Sequence, residues 1–159
     1  MKIKIICIGK IKEKYLTAGM DEFLKRLKVY ANIEIIELVE TKLSNDNNIA
    51  EVNKVIDDEG KKILKQLNDT DYIISLDVDG KNITNEEYVE IIENACLNGY
   101  SSFCFIIGGS YGLSNEIKEK SFFKWSFSNL VFTHQMIRLI LLEQIYRGFK
   151  IMKNEPYHK

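Results

Sequence analysis

The sequence is poor in the residues that build metal, redox and disulfide sites. It has two histidines, His134 and His158, and three cysteines, Cys7, Cys96 and Cys104, none of them in a CxxC pair. So few imidazoles and thiols argue against a zinc site, which needs three or four such ligands. The cysteine number is odd. Cys7 and Cys104 fall in apolar, strand-like runs and Cys96 on an amphipathic helix, so reduced, packed thiols are expected. Proline occurs once, at Pro156. No apolar run approaches the ~20 residues that span a bilayer. Leu139 to Leu142 falls far short, and Ile3 to Ile8 is short and interrupted by Lys4. Neither a membrane span nor a signal peptide is expected, which makes a cytoplasmic protein the expectation. The common phosphate fingerprints are missing as well. GxxxxGK[ST] and GxGxxG do not occur, and Gly9 stands alone after the first strand-like run.

What remains is globular. The 159 residues fit one domain, 1–159, without a linker or an internal repeat. Hydrophobic residues at 45% and charged residues at 28% exclude a disordered or collagen-like chain. The net charge of −1 hides an uneven distribution. Residues 1–20 carry +4 and residues 133–159 carry +3, around a body of −8. Basic ends of this kind either form a patch where they meet or dissolve into an ordinary solvated surface.

Strand and helix signals alternate. Lys2 to Gly9 reads as a buried strand, and Lys12 to Tyr30 has helical spacing. Ile33 to Val39 is a β-branched strand, followed by a polar loop from Lys42 to Asn48. Ala50 to Leu67 is an amphipathic helix. Tyr72 to Val78 is a strand with Asp79-Gly80 as its turn. Thr84, with Glu87 three positions on, opens a helix to Leu97 through a capping box, and Asn98-Gly99 ends it. Ser102 to Ile107 is a very apolar strand, and a short helix spans Asn115 to Lys120. Trp125 to Phe132 reads as a short strand plus loop, and Thr133 to Lys153 as a long helix. The alternation predicts an α/β fold, a mostly parallel sheet flanked by helices on both faces.

Four segments could carry chemistry. The glycine loop Gly108-Gly109-Ser110-Tyr111-Gly112 follows a strand and precedes a helix, where open α/β sheets bind ligands. Taken alone it is either such a site or a tight turn. Trp125 to His134 alternates Ser126, Ser128 and Asn129 with apolar residues, as a ligand-facing loop or an edge strand would. On the last helix His134 and Arg138 share a stripe. Arg147 lies one turn from Glu143 and reads as its salt-bridge partner. Arg138 has no local acid and is the better functional candidate. The tail Asn154 to Lys159 joins an aromatic, an imidazole and a cation, which suits RNA, although chain ends are often frayed.

Together these segments resemble one family. The pieces are the strand ending in Gly9, Leu76-Asp77 before Gly80, FIIGGSYGLS from Phe105 to Ser114, WSFSNLVFTHQMIRLILLEQIYRGFKI from Trp125 to Ile151, and the terminal NEPYHK. In this order the chain is similar, over essentially its whole length, to the RlmH family, the ribosomal RNA large subunit methyltransferases H of the SPOUT class. The resemblance implies a SPOUT-type α/β knot with a C-terminal trefoil, a homodimer, and S-adenosylmethionine as co-substrate. It implies methylation of N3 of pseudouridine 1915 in 23S ribosomal RNA within the ribosome, with no metal and no membrane. By motif match, Leu76, Gly108, Phe127, Ser128, Asn129, Leu130, Val131 and Phe132 would line the cofactor pocket. Arg138, Tyr157 and His158 would face the RNA, with Lys159 at a basic position that is often arginine. Thr133 departs from the family's usual proline.

Methyl transfer from a sulfonium needs in-line positioning, and the imide N3 must lose a proton. His158 is the candidate base, and Arg138 could stabilise the deprotonated ring electrostatically. Two alternatives stand beside this reading: a non-enzymatic ribosome-associated RNA-binding protein, and a flavodoxin-like or dinucleotide-binding domain.

Overall fold

A computed structural model describes residues 1–43 and 48–157. Most of the Lys42 to Asn48 loop, and His158 and Lys159 of the tail, lie outside the described residues. Five strands form one sheet: β1 (Lys2–Ile8), β2 (Asn32–Leu38), β3 (Asp71–Lys81), β4 (Ser102–Ile107) and β5 (Phe123–Trp125). Their spatial order is β2-β1-β4-β3-β5, and every pair is parallel. The order differs from the 2-1-3-4-5 of flavodoxin-like sheets, because β4 inserts between β1 and β3.

Two-residue alternation along the strands divides the core between the two faces of the sheet. Ile3, Ile5, Cys7, Phe103, Phe105 and Ile74 pack on one side with α1 (Lys14–Leu27), α3 (Asn85–Leu97) and α5 (Met136–Met152). Ile6, Ile8, Cys104, Ile106 and Ile73 pack on the other with α2 (Ile49–Leu64) and α4 (Asn115–Lys120). Parallel strands covered on both faces must be apolar where they are covered, as residues 5–8 of β1 and 103–107 of β4 are. The capping box is formed: Glu87 N–H donates to Thr84 Oγ1 at 3.2 Å and Thr84 N–H to Glu87 Oε2 at 2.8 Å. Among the described residues no helix is long and apolar enough to cross a membrane.

Three sequence expectations are corrected. Asp79-Gly80 does not end its strand, since β3 runs on to Lys81 with a register shift against β5 after Leu76. The glycine serves close approach instead, because a methyl group on Gly80 would stand 2.6 Å from the Lys124 carbonyl oxygen. The strand expected from Trp125 ends there, and Phe127 to Phe132 lies outside the sheet. Cys96 is exposed, whereas Cys7 and Cys104 are buried as expected. Burial pushes both buried thiols up to about 12, so they pack as small apolar groups.

Asp71 pins the amino-terminal end of the sheet. Its fully buried carboxylate accepts from Lys4 Nζ at 2.8 Å, Ser102 Oγ at 2.7 Å and Asn68 N–H at 2.9 Å. Burial alone would push this carboxyl up, but the bonds from Lys4, Ser102 and Asn68 outweigh it and hold the group below its ordinary range. A depressed folded pKa stabilises the fold above the unfolded value, about 3.9, and that stability is lost as pH falls through the folded one. Asp71→Asn is therefore expected to cost about 2 kcal/mol at pH 7 in urea denaturation. The gap between variant and parent should narrow below about pH 4. A gap that is constant from pH 7 to pH 3 would show that the carboxylate charge does not matter there.

Candidate active site

The ladder aligns three strand ends. Leu76 of β3 is in register with Ile107 of β4 on one side and Trp125 of β5 on the other. The residues that follow, Asp77, Gly108 and Ser126, therefore emerge side by side at the carboxyl edge of the sheet. A cleft of about 720 Å³ opens there, within the range of small-molecule sites. Of the positions expected to bind the cofactor, Leu76, Gly108, Phe127, Ser128, Leu130, Val131 and Phe132 line it. Asn129 does not, and its Oδ1 instead accepts from Asn82 Nδ2 at 3.4 Å.

Glycine is required in the loop that forms one wall. A methyl group on Gly108 would stand 2.7 Å from the Gly112 carbonyl oxygen, and Gly112 has φ +85°. The loop is closed by an isolated bridge between Gly109 and Gly112. The opposite wall, 127–132, is shaped by short local bonds. Ser126 Oγ donates to the Ser128 carbonyl at 3.1 Å, and Leu130 N–H donates to Ser128 Oγ at 2.9 Å. Because this stretch is in neither helix nor strand, no ladder consumes its backbone groups. Asp77, at the cleft floor, is held by Lys118 at 2.9 Å.

The start of α5 closes the third side through His134, Gln135 and Ile137. It is anchored to the end of β1. Gln135 Oε1 accepts from Lys12 N–H at 2.9 Å, and a methyl group on Gly9 would meet His134 Nε2 at 3.4 Å. The sequence signal for Asp77, His134 and Gln135 as lining residues was weak, because their approach depends on strand order and register.

Arg138 is corrected as a candidate for direct RNA contact. It is fully buried, and its partner is Glu37, 101 residues away, at 2.7 Å. Its Nη2 donates to the Ile8 and Gly9 carbonyls at 2.8 and 3.0 Å, and its Nε to the His134 carbonyl at 3.1 Å. The guanidinium thus ties α5 to β1 and β2 beneath the cleft. Arg147 pairs with Glu143 at 2.6 Å, as the spacing predicted.

Tyr157 folds back onto the middle of α5. Its hydroxyl contacts Glu143 Oε1 at 3.3 Å, and the Arg147 guanidinium lies 4.9 Å from its ring centroid. Burial and then the Glu143 carboxylate raise its phenol above the ordinary value. The preceding residue but one, Glu155, is clamped by Tyr30 at 2.6 Å and Lys150 at 2.5 Å. Glu143 and Arg147 lie about 9–15 Å along the helix from the residues that line the cleft, at 1.5 Å per residue. Tyr157 therefore does not join the cleft of its own chain, and His158 lies outside the described residues. No group of three or more His, Cys, Asp or Glu comes together as a metal would require, among the described residues.

A parallel α/β sheet with such a cleft at its carboxyl edge defines a class of cofactor-binding enzyme, and comparison with known proteins identifies which. The family model described as "Predicted SPOUT methyltransferase" matches residues 1–158. The chain belongs to the SPOUT methyltransferase family, and its methyl donor is S-adenosylmethionine. Relatives called "Ribosomal RNA large subunit methyltransferase H" align over 100% of both chains. They are 50% identical in Halothermothrix orenii, 49% in Clostridioides difficile and 47% in Enterococcus faecalis. A solved structure of a probable methylase family protein from Haemophilus influenzae Rd KW20 shares the fold, with TM-score 0.53 at 12% identity. It is matched over 99% of this chain and 70% of that one.

The cleft fits the methyl donor on its own terms. Its apolar walls, Leu76, Phe127, Leu130 and Phe132, suit a purine and the methylene groups that flank a sulfonium. The glycines let backbone approach where side chains would fill the space.

Proposed function

We propose that this chain methylates large-subunit ribosomal RNA at N3 of pseudouridine 1915, as a cytoplasmic homodimer acting on the ribosome. The observation that carries this reading is the in-register convergence of Leu76, Ile107 and Trp125, which gathers the family's cofactor segments around one cleft. In this reading residues 1–159 act as one domain with its C-terminal region threaded as a trefoil knot.

S-adenosylmethionine supplies an activated methyl group on a sulfonium. The protein's part is to hold it and to aim the RNA base. Gly108 and the 127–132 stretch hold the cofactor. His158 accepts the proton that N3 must lose, and Tyr157 packs against the RNA base or sugar. Arg138 acts as a positioning residue through the start of α5. Exposed Lys10, Lys12 and Lys14 follow Gly9 beside His134 and give the cleft a basic margin for phosphate.

Two features support a site shared between chains. Leu130 is 74% and Val131 82% exposed at the cleft mouth, an apolar rim that a second subunit would cover. The last described tail residues, Glu155 and Tyr157, are held by Tyr30, Lys150 and Glu143, away from the cleft of their own chain. A partner's tail would then complete the site.

His158→Ala is expected to lower methylation of assembled ribosomes by about a hundredfold while leaving the calorimetric affinity for S-adenosylmethionine unchanged. Mixed dimers of His158→Ala with a cleft variant should regain activity that neither homodimer has. Unchanged single-turnover methylation would reject the base role, and a fully active monomer by light scattering would reject the shared site. Comparing assembled ribosomes with naked RNA identifies the substrate form.

A further inference from the structure

Against the glycine loop lies a buried carboxyl group that does not line the cleft. Glu59 of α2 is 2% exposed. Its Oε1 accepts from Thr41 N–H at 2.9 Å. Its Oε2 accepts no hydrogen bond among the described residues and points at the loop. A methyl group on Gly109 would stand 2.8 Å from that oxygen and 3.0 Å from Ile8 Cγ2. Glycine is therefore the residue that lets the loop lie against the acid.

The contact closes a ring. Glu59 holds Thr41. The neighbouring Glu40 accepts from Ser110 Oγ at 3.2 Å, and Ser110 follows Gly109. Lys62, one turn along α2 from Glu59, fastens the same strap from outside by donating to the Val39 carbonyl and to Thr41 Oγ1, both at 2.8 Å. Helix α2, the 39–41 strap and the glycine loop are thus linked through one buried carboxyl. Burial raises Glu59 above the ordinary carboxylate range. The Thr41 bond opposes that shift, Glu40 adds to it and Lys62 opposes it. Both the neutral form and its amide isostere can keep the Thr41 bond and the same shape against Gly109.

We propose that Glu59 is a positioning residue for the methyl donor, its carboxyl serving as the stop that sets the glycine loop against the cofactor. The proposal rests on the Gly108–Gly112 loop being a wall of the S-adenosylmethionine site. Glu59 touches no reacting atom and acts through Gly109 and the strap.

Calorimetric titration of the intact protein with S-adenosylmethionine tests it, alongside steady-state methylation. Glu59→Ala removes both the stop and the Thr41 anchor. It should weaken binding about tenfold, with KM for the donor rising in step and kcat falling by a smaller factor. Glu59→Gln, which keeps shape and acceptor, should bind within about twofold of the parent. A purely electrostatic role would not be rescued by the amide, and a global folding defect would lower the active fraction without raising KM for the donor.

Equal binding by Glu59→Ala and the parent, or a Glu59→Gln variant as weak as Glu59→Ala, overturns the proposal. Should Glu59→Ala not fold, Gly109→Ala carries the test. Its methyl presses on the carboxyl and should weaken binding about tenfold, and adding Glu59→Asp, which withdraws the carboxyl by one methylene, should recover part of that loss. No recovery overturns the proposal equally. Failure of the parent protein to bind S-adenosylmethionine would instead sink the underlying reading of the cleft.

Discussion

Replacing Arg138 with methionine is expected to lower the unfolding free energy by about 3 kcal/mol. Methionine reproduces the side chain out to about the position of Nε and lacks the guanidinium. It offers nothing to the Ile8, Gly9 and His134 carbonyls, which lie within 2.8 to 3.1 Å of the guanidinium. Unsatisfied buried acceptors each cost about 1–3 kcal/mol, though relaxation recovers part of that. Glu37 is less affected, since its side chain is 34% exposed and can turn to water. Glu37→Gln should accordingly cost only about 1 kcal/mol. For a chain of this size the Arg138→Met loss corresponds to a melting temperature roughly 6–12 °C lower. The effect should reach the cleft, because the carbonyls concerned join Gly9 to His134 at its edge. S-Adenosylmethionine affinity should fall together with stability. A melting temperature within 2 °C of the parent, roughly the shift of a 1 kcal/mol change, would refute the view that this guanidinium holds α5 to the sheet.

The contrast between Arg138 and Arg147 shows where sequence reasoning reaches its limit. Glu143 and Arg147 are four residues apart on one helix, so their pairing follows from helix geometry. Glu37 and Arg138 meet only because β2 lies beside β1 and α5 begins at the end of β1. No local rule contains that arrangement. The same division holds for the fold. The Thr84–Glu87 cap and the apolar β4 were readable because their causes are local. Insertion of β4 between β1 and β3 was not, and it decides which strand ends border the cleft. Gly80 misled for a related reason: next to Asp79 it has the composition of a turn, but it is glycine because Lys124 crosses it closely. In the site, the glycine loop was visible from strand, glycines and helix in succession. Asp77 and His134 join it only through register. The 127–132 stretch was legible through family resemblance, since its loop conformation rests on serine contacts that composition does not announce.

Gly108→Ala is expected to weaken S-adenosylmethionine binding by about 10- to 100-fold, the largest effect of any single methyl group added to the glycine loop. What the added group meets decides its cost. At Gly108 it would meet backbone, the Gly112 oxygen at 2.7 Å and its carbonyl carbon at 2.8 Å. Backbone cannot swing aside, so either Gly108 or Gly112 must move, and both line the cleft. At Gly109 the added group would meet side chains only, Glu59 Oε2 at 2.8 Å and Ile8 Cγ2 at 3.0 Å, which give by a few tenths of an ångström more readily than backbone, so the loss should be smaller. At Gly112 nothing lies within 4 Å, and the cost comes from φ +85° alone, about 1 kcal/mol. Gly99 supplies the control. It has φ +91° with nothing nearby, but it lies in the α3–β4 connection at the other end of the sheet. Gly99→Ala should lower stability by a similar 1 kcal/mol or so and leave cofactor affinity untouched. The expected order of affinity loss by calorimetry is therefore Gly108, then Gly109, then Gly112, with Gly99 at zero. Equal losses at Gly108 and Gly99 would mean that the substitutions act through global stability, and the glycine loop would lose its standing as a wall of the cofactor site.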